Sequence, residues 1–405
     1  MKAFVNLKRL VIFLVVIVIL GSCSETNETS LVSEITGRVD SLKQVYAPDS
    51  RIALWNVSIK KYNGEIAIVG EVGNKKAQSD LLKLNSKYPD LKIKVKLLPE
   101  NHAGYTDFAL INNSVSSMRV EGRYTAAMAT QSLLGTPVKV FKKEGGWYLV
   151  QTPNRYFGWI NQAAIVLLDS ARLKEYKTEK KIVFYRQYGS SYTKPDSKSQ
   201  VVSDLVIGDI LPVIGSENNF YKVEYPDKRS AFVKKDEVID FDGFFNKNPE
   251  EKGLVETAKF FLGIPYLWGG TSSKGIDCSG FTSMIYLMNG IVLQRDASQQ
   301  AKYGKVITTD FVSTNLQPGD LMFFGRKATN SLPEKVTHVA MYIGNGNFIQ
   351  SSGKVWITSM DSTKANFDLR DAQRFLKAVR IIGQENGKTI QRIADNKFYK
   401  ILKLK

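Results

Sequence analysis

Cysteine and histidine are scarce in this chain, with two of each among 405 residues. That scarcity excludes a disulfide-rich scaffold and leaves no zinc-ligand cluster in view. No P-loop and no RNA-binding aromatic motif is visible either, so no cofactor and no nucleic-acid partner is indicated. What is plentiful is positive charge, a formal net +17. A basic surface of that size suits polyanionic surroundings such as anionic lipid or anionic wall polymer, and equally a plain solvated face. With 43% hydrophobic residues the composition is ordinary for globular protein, and the length sets two to four domains.

The N-terminus sets the compartment. Lys2, Lys8 and Arg9 precede an unbroken apolar run from Leu10 to Leu20, followed by Gly21-Ser22-Cys23. The run is too short and wrongly flanked to span a bilayer, and reads as a secretory signal. Leu20-Gly21-Ser22-Cys23 resembles the lipobox of bacterial lipoproteins. The resemblance implies that residues 1–22 are a signal peptide, that Cys23 is the lipidation site, and that the protein is exported and membrane-anchored, facing the periplasm or cell wall. Residues 24–30 read as a polar tether. With Cys23 lipidated, Cys278 has no disulfide partner, and a lone thiol in an oxidising compartment invites damage unless it does chemistry.

Along the chain, Leu31, Ile35, Leu42 and Val45 fall at helical spacing within a tether-and-helix segment, residues 23–50. Residues 51–107 read as a small α/β unit of ββαβ order. Its strands run over Ile52–Ile59, Glu65–Val72 and Ile93–Leu97, with a hairpin turn at Asn63-Gly64 and a helix from Gln78 to Tyr88 stopped by Pro89. His102, just beyond, reads as a surface residue. An internal repeat follows at a constant offset of 73 residues: Gly135 matches Gly208, Trp147 matches Phe220, Tyr148 matches Tyr221, Val150 matches Val223 and Pro153 matches Pro226. The two copies, 108–172 and 178–241, are β-rich and of a length for small barrels. Gly145–Val150 and Tyr156–Ile160 resemble bacterial SH3-like domains. Val255–Leu262 reads as a short helix after a polar linker, and residues 384–405 form a basic tail with no assignment.

The chemistry lies in residues 248–383. Pro265 and the glycines at 269, 270 and 275 dictate a loop, and Phe281, Met284, Ile285 and Met288 then fall on one helical face ended by Asn289-Gly290. Cys278 therefore opens a helix, where unpaired N–H groups and the dipole favour a thiolate and depress its pKa. A thiol nucleophile needs a base, and His338, which opens the strand Val339–Ile343, is the only histidine in this region.

Pro265–Gly270, Asp277–Phe281, Arg295–Gln300, Pro318–Leu321 and His338–Ser352 together resemble the NlpC-type family of cell-wall cysteine peptidases. The resemblance implies a papain-like α/β catalytic domain with Cys278 as nucleophile and His338 as base. Gln350 stands in the position of the third, orienting residue, and the Tyr266 hydroxyl helps the oxyanion. Asp277 and Ser279 would contact the substrate's D-glutamate end, and Tyr156 would wall the cleft. Arg295 and Asp296 read as an exposed-loop pair, and Asp320 as a turn former. Hairpin geometry does not deliver Gln350: a two-residue turn at Asn345-Gly346 faces it away from His338, and a bulge restores the face but leaves the two offset. Its place rests on the resemblance alone.

The fold class expected is thus multidomain: a small α/β unit, two SH3-like β-barrels and the papain-like domain, in a monomer. The nearest subgroup resembles γ-D-glutamyl-diamino-acid endopeptidases acting on peptidoglycan stem peptides or muropeptides. In that subgroup an acid of the first SH3-like domain holds the free amine of L-alanine. Here Ala127 stands in its place, which implies weak discrimination between free and capped substrates. An N-acetylmuramoyl-L-alanine amidase and an inactive wall-binding adaptor are the alternatives.

Overall fold

The 73-residue repeat is visible in the backbone. The computed structural model describes residues 29–62, 65–100 and 104–403, so Cys23, the Asn63-Gly64 turn and His102 lie outside the described residues. The chain divides into two units, Met1–Glu100 and Asn101–Lys405.

In the first unit, residues 29–46 are helical. Three strands follow, Trp55–Tyr62, Glu65–Val72 and Lys92–Leu97; the first pair is antiparallel and the second parallel. A parallel pair needs a crossover, and the helix Lys75–Leu82 provides it. The expected ββαβ order is present, with two corrections. The first strand begins at Trp55 rather than Ile52. The helix starts earlier than Gln78 because Asn74 caps it, accepting from the N–H groups of Lys76 and Ala77, and only a short 3-10 turn follows Leu82. Ile35, Val39, Trp55, Ile68, Val72, Leu81 and Val95 make this unit's own core.

In the second unit, the two copies of the repeat form two seven-stranded sheets, over residues 108–167 and 181–240. Strand order is the same in both: the seventh strand lies beside the first, then the fourth, fifth, sixth, second and third. Register is repeated too. Trp147 pairs with Asn161 as Phe220 pairs with Lys234, and Tyr148 with Ile160 as Tyr221 with Val233. Gly135 and Gly208 occupy equivalent turns at φ +74° and +95°, and a Cβ on Gly135 would collide with the Ile210 carbonyl of the second copy.

The C-terminal domain sets a helix against a six-stranded antiparallel sheet. The sheet order is Lys305–Thr308, Phe375–Arg380, Leu321–Arg326, Lys335–Gly344, Asn347–Ser352, Lys354–Ser359. The helix Cys278–Leu287 packs Phe281, Met284 and Ile285 against Val339, Met341 and Ile349, all buried in one cluster. A preceding helix spans Glu251–Phe260, four residues earlier than its apolar spacing suggests. The tail left unassigned by sequence is part of the structure. Gln391–Arg392 pairs with Ile291–Val292; Ile390, Ile393, Tyr399 and Leu402 are buried; and the Phe398 ring meets Phe108 of the first β domain edge-on at 5.9 Å. Among the described residues no helix is long and apolar enough to cross a membrane.

Candidate active site

Asp277 prepares the nucleophile. It is the N-cap of the Cys278 helix, and its Oδ1 accepts the Gly280 N–H at 2.7 Å. Oδ2 accepts from the Gly269 N–H at 2.9 Å, which ties the glycine loop to the helix start. Gly280 has to be glycine, since a Cβ there would meet the Gly270 carbonyl at 2.1 Å. Both carboxylate oxygens also accept from Arg295, at 3.0 and 2.6 Å. Asp277 thus shapes the loop and helix that present Cys278.

Arg295 is the main correction to the sequence reading. It is 1% exposed rather than part of an exposed loop. Besides the bidentate pair with Asp277, its guanidinium donates to the Ser279 hydroxyl at 3.1 Å and to Thr130 Oγ1 at 2.8 Å. A planar donor fork suits such a site, where a buried charge has to be paired and fully hydrogen-bonded. Ser279 is thereby held between Arg295 and Asp277. Asp296 caps the short helix Ala297–Gln300, and its Oδ2 accepts from the Tyr156 hydroxyl at 3.1 Å. Asp320 is the turn former expected: it accepts from the Gln317 N–H and also pairs with Arg380.

Cys278 is 8% exposed, and burial pushes its thiol up to about 11. The negative charge of Asp277 acts in the same direction; the Val339 and Ser279 N–H groups and Arg295 oppose it. The expectation of a depressed thiol therefore fails for the resting enzyme, because removing the sulfur from water outweighs the helix N-terminus.

A thiol held protonated depends on its base. His338 Nε2 lies 2.6 Å from Gln350 Oε1. The Gln350 amide nitrogen donates to Thr358 Oγ1 at 2.9 Å and to Asp371 Oδ2 at 2.8 Å, so its oxygen faces the imidazole. Nε2 must then carry the proton, leaving Nδ1 as the basic atom. Burial holds the imidazole below its usual pKa, while Gln350 and the charge of Asp371 pull it upward. A bulge solves the hairpin problem. Met341 pairs with Ile349 and Gly344 with Asn347, with a register shift between, so Gln350 turns to the His338 face and its side chain spans the remaining offset. Tyr266 is half-buried with its phenol pushed up to about 12, first by burial, with the negative charge of Asp277 acting the same way. It remains a neutral O–H donor, the kind of group suited to a developing oxyanion.

Both β domains grip the loop before Asp277. Thr271 and Ser272 donate to Gln131 of the first, and the Ser273 hydroxyl donates to the Gln187 carbonyl of the second, whose Tyr188 hydroxyl donates back to the Ser273 carbonyl. Lys274 pairs with Asp204 and donates to Ser114. Nothing in a one-dimensional pattern marks Gln131 or Thr130 as support for the nucleophile. Ala127 is exposed, one residue before the strand Met128–Leu133 that carries them.

Residues 263–373 match the NlpC/P60 family, and residues 118–165 match the bacterial dipeptidyl-peptidase Sh3 domain. The chain is 32% identical over 238 residues to the gamma-D-glutamyl-L-lysine dipeptidyl-peptidase of Bacillus cereus, covering 55% of this chain and 67% of that protein. It is 31% identical over 235 residues to the Bacillus subtilis protein of the same name, covering 55% and 71%. A crystal structure of an NlpC/P60 family protein from Bacillus cereus superposes with a TM-score of 0.58 at 25% identity, covering 68% of this chain and 99% of that one. Cys278 at a helix start, a His338–Gln350 pair on the sheet it packs against, and relatives matched over two thirds of their length lead to one assignment: the chain is a cysteine peptidase of the NlpC/P60 family.

Proposed function

We propose that the protein hydrolyses peptidoglycan stem peptides at the bond between the γ-carboxyl of D-glutamate and the following diamino acid. The observation that carries this reading is the His338–Gln350 hydrogen bond in the domain whose helix opens on the buried Cys278, together with the Tyr156–Asp296 bond contributed by the first β domain. Nδ1 of His338 takes the thiol proton as sulfur attacks the γ-carbonyl, Tyr266 and the helix N-terminus stabilise the oxyanion, and the imidazolium protonates the leaving amine. Water then hydrolyses the thioester with the same base. The relatives' names support the γ-D-glutamyl bond and a dipeptidyl mode of cleavage. We read the second β domain as SH3-like on its shared strand order, and Tyr156 with Asp296 as the end wall that fixes how far from the peptide's N-terminus the cut falls. Cys23 lipidation places the enzyme at a membrane surface facing the wall.

Purified muropeptides, digested and weighed, test the reading. Products separated between D-glutamate and the diamino acid are expected. Release of intact stem peptide from the sugar would make the enzyme an amidase, and no product at all would make it a binding protein. Cys278→Ala should leave less than about a hundredth of the activity in a folded protein.

A further inference from the structure

Gln350 is an unusual third member, because a neutral amide can orient an imidazole but adds no charge to stabilise an imidazolium. The charge lies one bond further on. Asp371, 6% exposed, sits on the short helix Leu369–Arg374 behind the sheet and accepts the Gln350 amide at 2.8 Å. Gln350 is fully buried, and its three contacts leave one orientation open: amide hydrogens to Asp371 and Thr358, oxygen to His338.

We propose that Asp371 is a positioning residue of the catalytic site, acting on His338 through Gln350. Its carboxylate accepts only, so it forbids the flipped amide that would present N–H groups to Nε2 and drive the imidazole into the wrong tautomer. It also polarises the amide, so that Oε1 becomes a stronger acceptor for the Nε2 proton as the ring becomes cationic. The unit is therefore His338–Gln350–Asp371, which restores by relay the carboxylate that a histidine base commonly receives directly. The other groups that act on the imidazole are Arg370 and Arg374 on the Asp371 helix, and the Phe324 ring lies 5.7 Å away. Arg374 donates to Thr337, the residue before His338, and lowers the imidazole pKa.

This inference rests on the Cys278–His338 reading but not on the substrate, so alkylation of Cys278 by iodoacetamide tests it independently of peptidase specificity. Asp371→Asn keeps the shape and removes the charge. It should slow alkylation at neutral pH about tenfold, the cost of exchanging a charge-assisted for a neutral hydrogen bond. It should also move the His338 imidazole titration, followed by NMR, to lower pH. In a Gln350→Ala background the same substitution should add little to the alkylation loss, because the relay is already broken. A wild-type alkylation rate together with an unmoved His338 titration would overturn the proposal. So would an undiminished loss in the Gln350→Ala background, which would mark Asp371 as merely structural. Asp371→Ser, smaller and still an acceptor, is read in the same way if the asparagine variant does not fold. Slow digestion of muropeptides by the wild type with these alkylation results intact would count against the substrate, not the relay.

Discussion

The hydroxyl of Tyr156, on the first β domain, donates to Oδ2 of Asp296 in the catalytic domain at 3.1 Å. Asp296 follows Arg295, whose guanidinium touches Asp277 and Ser279 on either side of Cys278. This bond joins the two domains, and we propose it as the end wall of the cleft. Ala127 implies weak recognition of a free L-alanine amine; against that expectation we propose that the Asp296 carboxylate reads the amine, and one ratio decides between the two. The kcat/KM ratio for L-Ala-γ-D-Glu-diaminopimelate without and with an N-terminal cap should exceed about a hundredfold in the wild type and fall at least tenfold in Asp296→Asn, since a desolvated ammonium without a counter-charge costs several kcal/mol. A ratio near one in the wild type would show that this wall does not read the amine.

Arg295 holds both halves of that site. Breaking a buried pair by removing one partner costs about 3–5 kcal/mol, and Arg295→Ala would leave Asp277 charged and unpaired against the helix start. Urea unfolding should show a loss of that order for Arg295→Ala. Arg295→Lys, which keeps the charge but not the fork, should fold better than Arg295→Ala and still lose activity. Unchanged stability in Arg295→Ala would mean that the pair is compensated by water.

The triad has a pH signature. The base works as neutral imidazole, and burial holds the His338 pKa below its usual value of about 6.5. Activity should therefore persist as pH falls past about 6.5, with the acid limb of kcat/KM centred lower. Stability follows the same sign: the unfolded chain takes up the proton first, so stability declines as pH falls from about 6.5 and levels off below the folded pKa. An acid limb above pH ~7 would contradict this. Gln350→His should keep much of the turnover, its second ring nitrogen meeting Asp371, whereas Gln350→Ala should lose more. Wild-type turnover in Gln350→Ala would remove Gln350 from the triad.

Attachment at Cys23 has its own test. Stable anchoring takes more than one acyl chain, and bacterial lipoproteins carry several. Wild-type protein should fractionate with membranes and carry lipid by intact mass, and Cys23→Ser should be released to the soluble fraction. A Cys23→Ser form that stays with the membrane would show that another feature holds it there.

Sequence alone determined what is local or repeated. Periodicity placed Phe281, Met284 and Ile285 on the face of a helix begun by Cys278, because apolar spacing and a glycine stop are short-range signals. A constant offset revealed two copies of one sheet before any strand was paired. Scarcity of histidine left His338 as the only base in its region. Tertiary structure decided whatever depends on burial or on contacts across distant segments. Arg295 read as a loop residue because its partners, Asp277 and Thr130, lie 18 and 165 positions away. The thiol pKa was raised rather than lowered, since desolvation is a property of the packed site and not of a helix start. Gln350 needed a bulge at one turn to face His338, and Asp371 needed the folded sheet to stand behind it. A pattern of types along a chain carries no record of which side chains meet once water has been excluded between them.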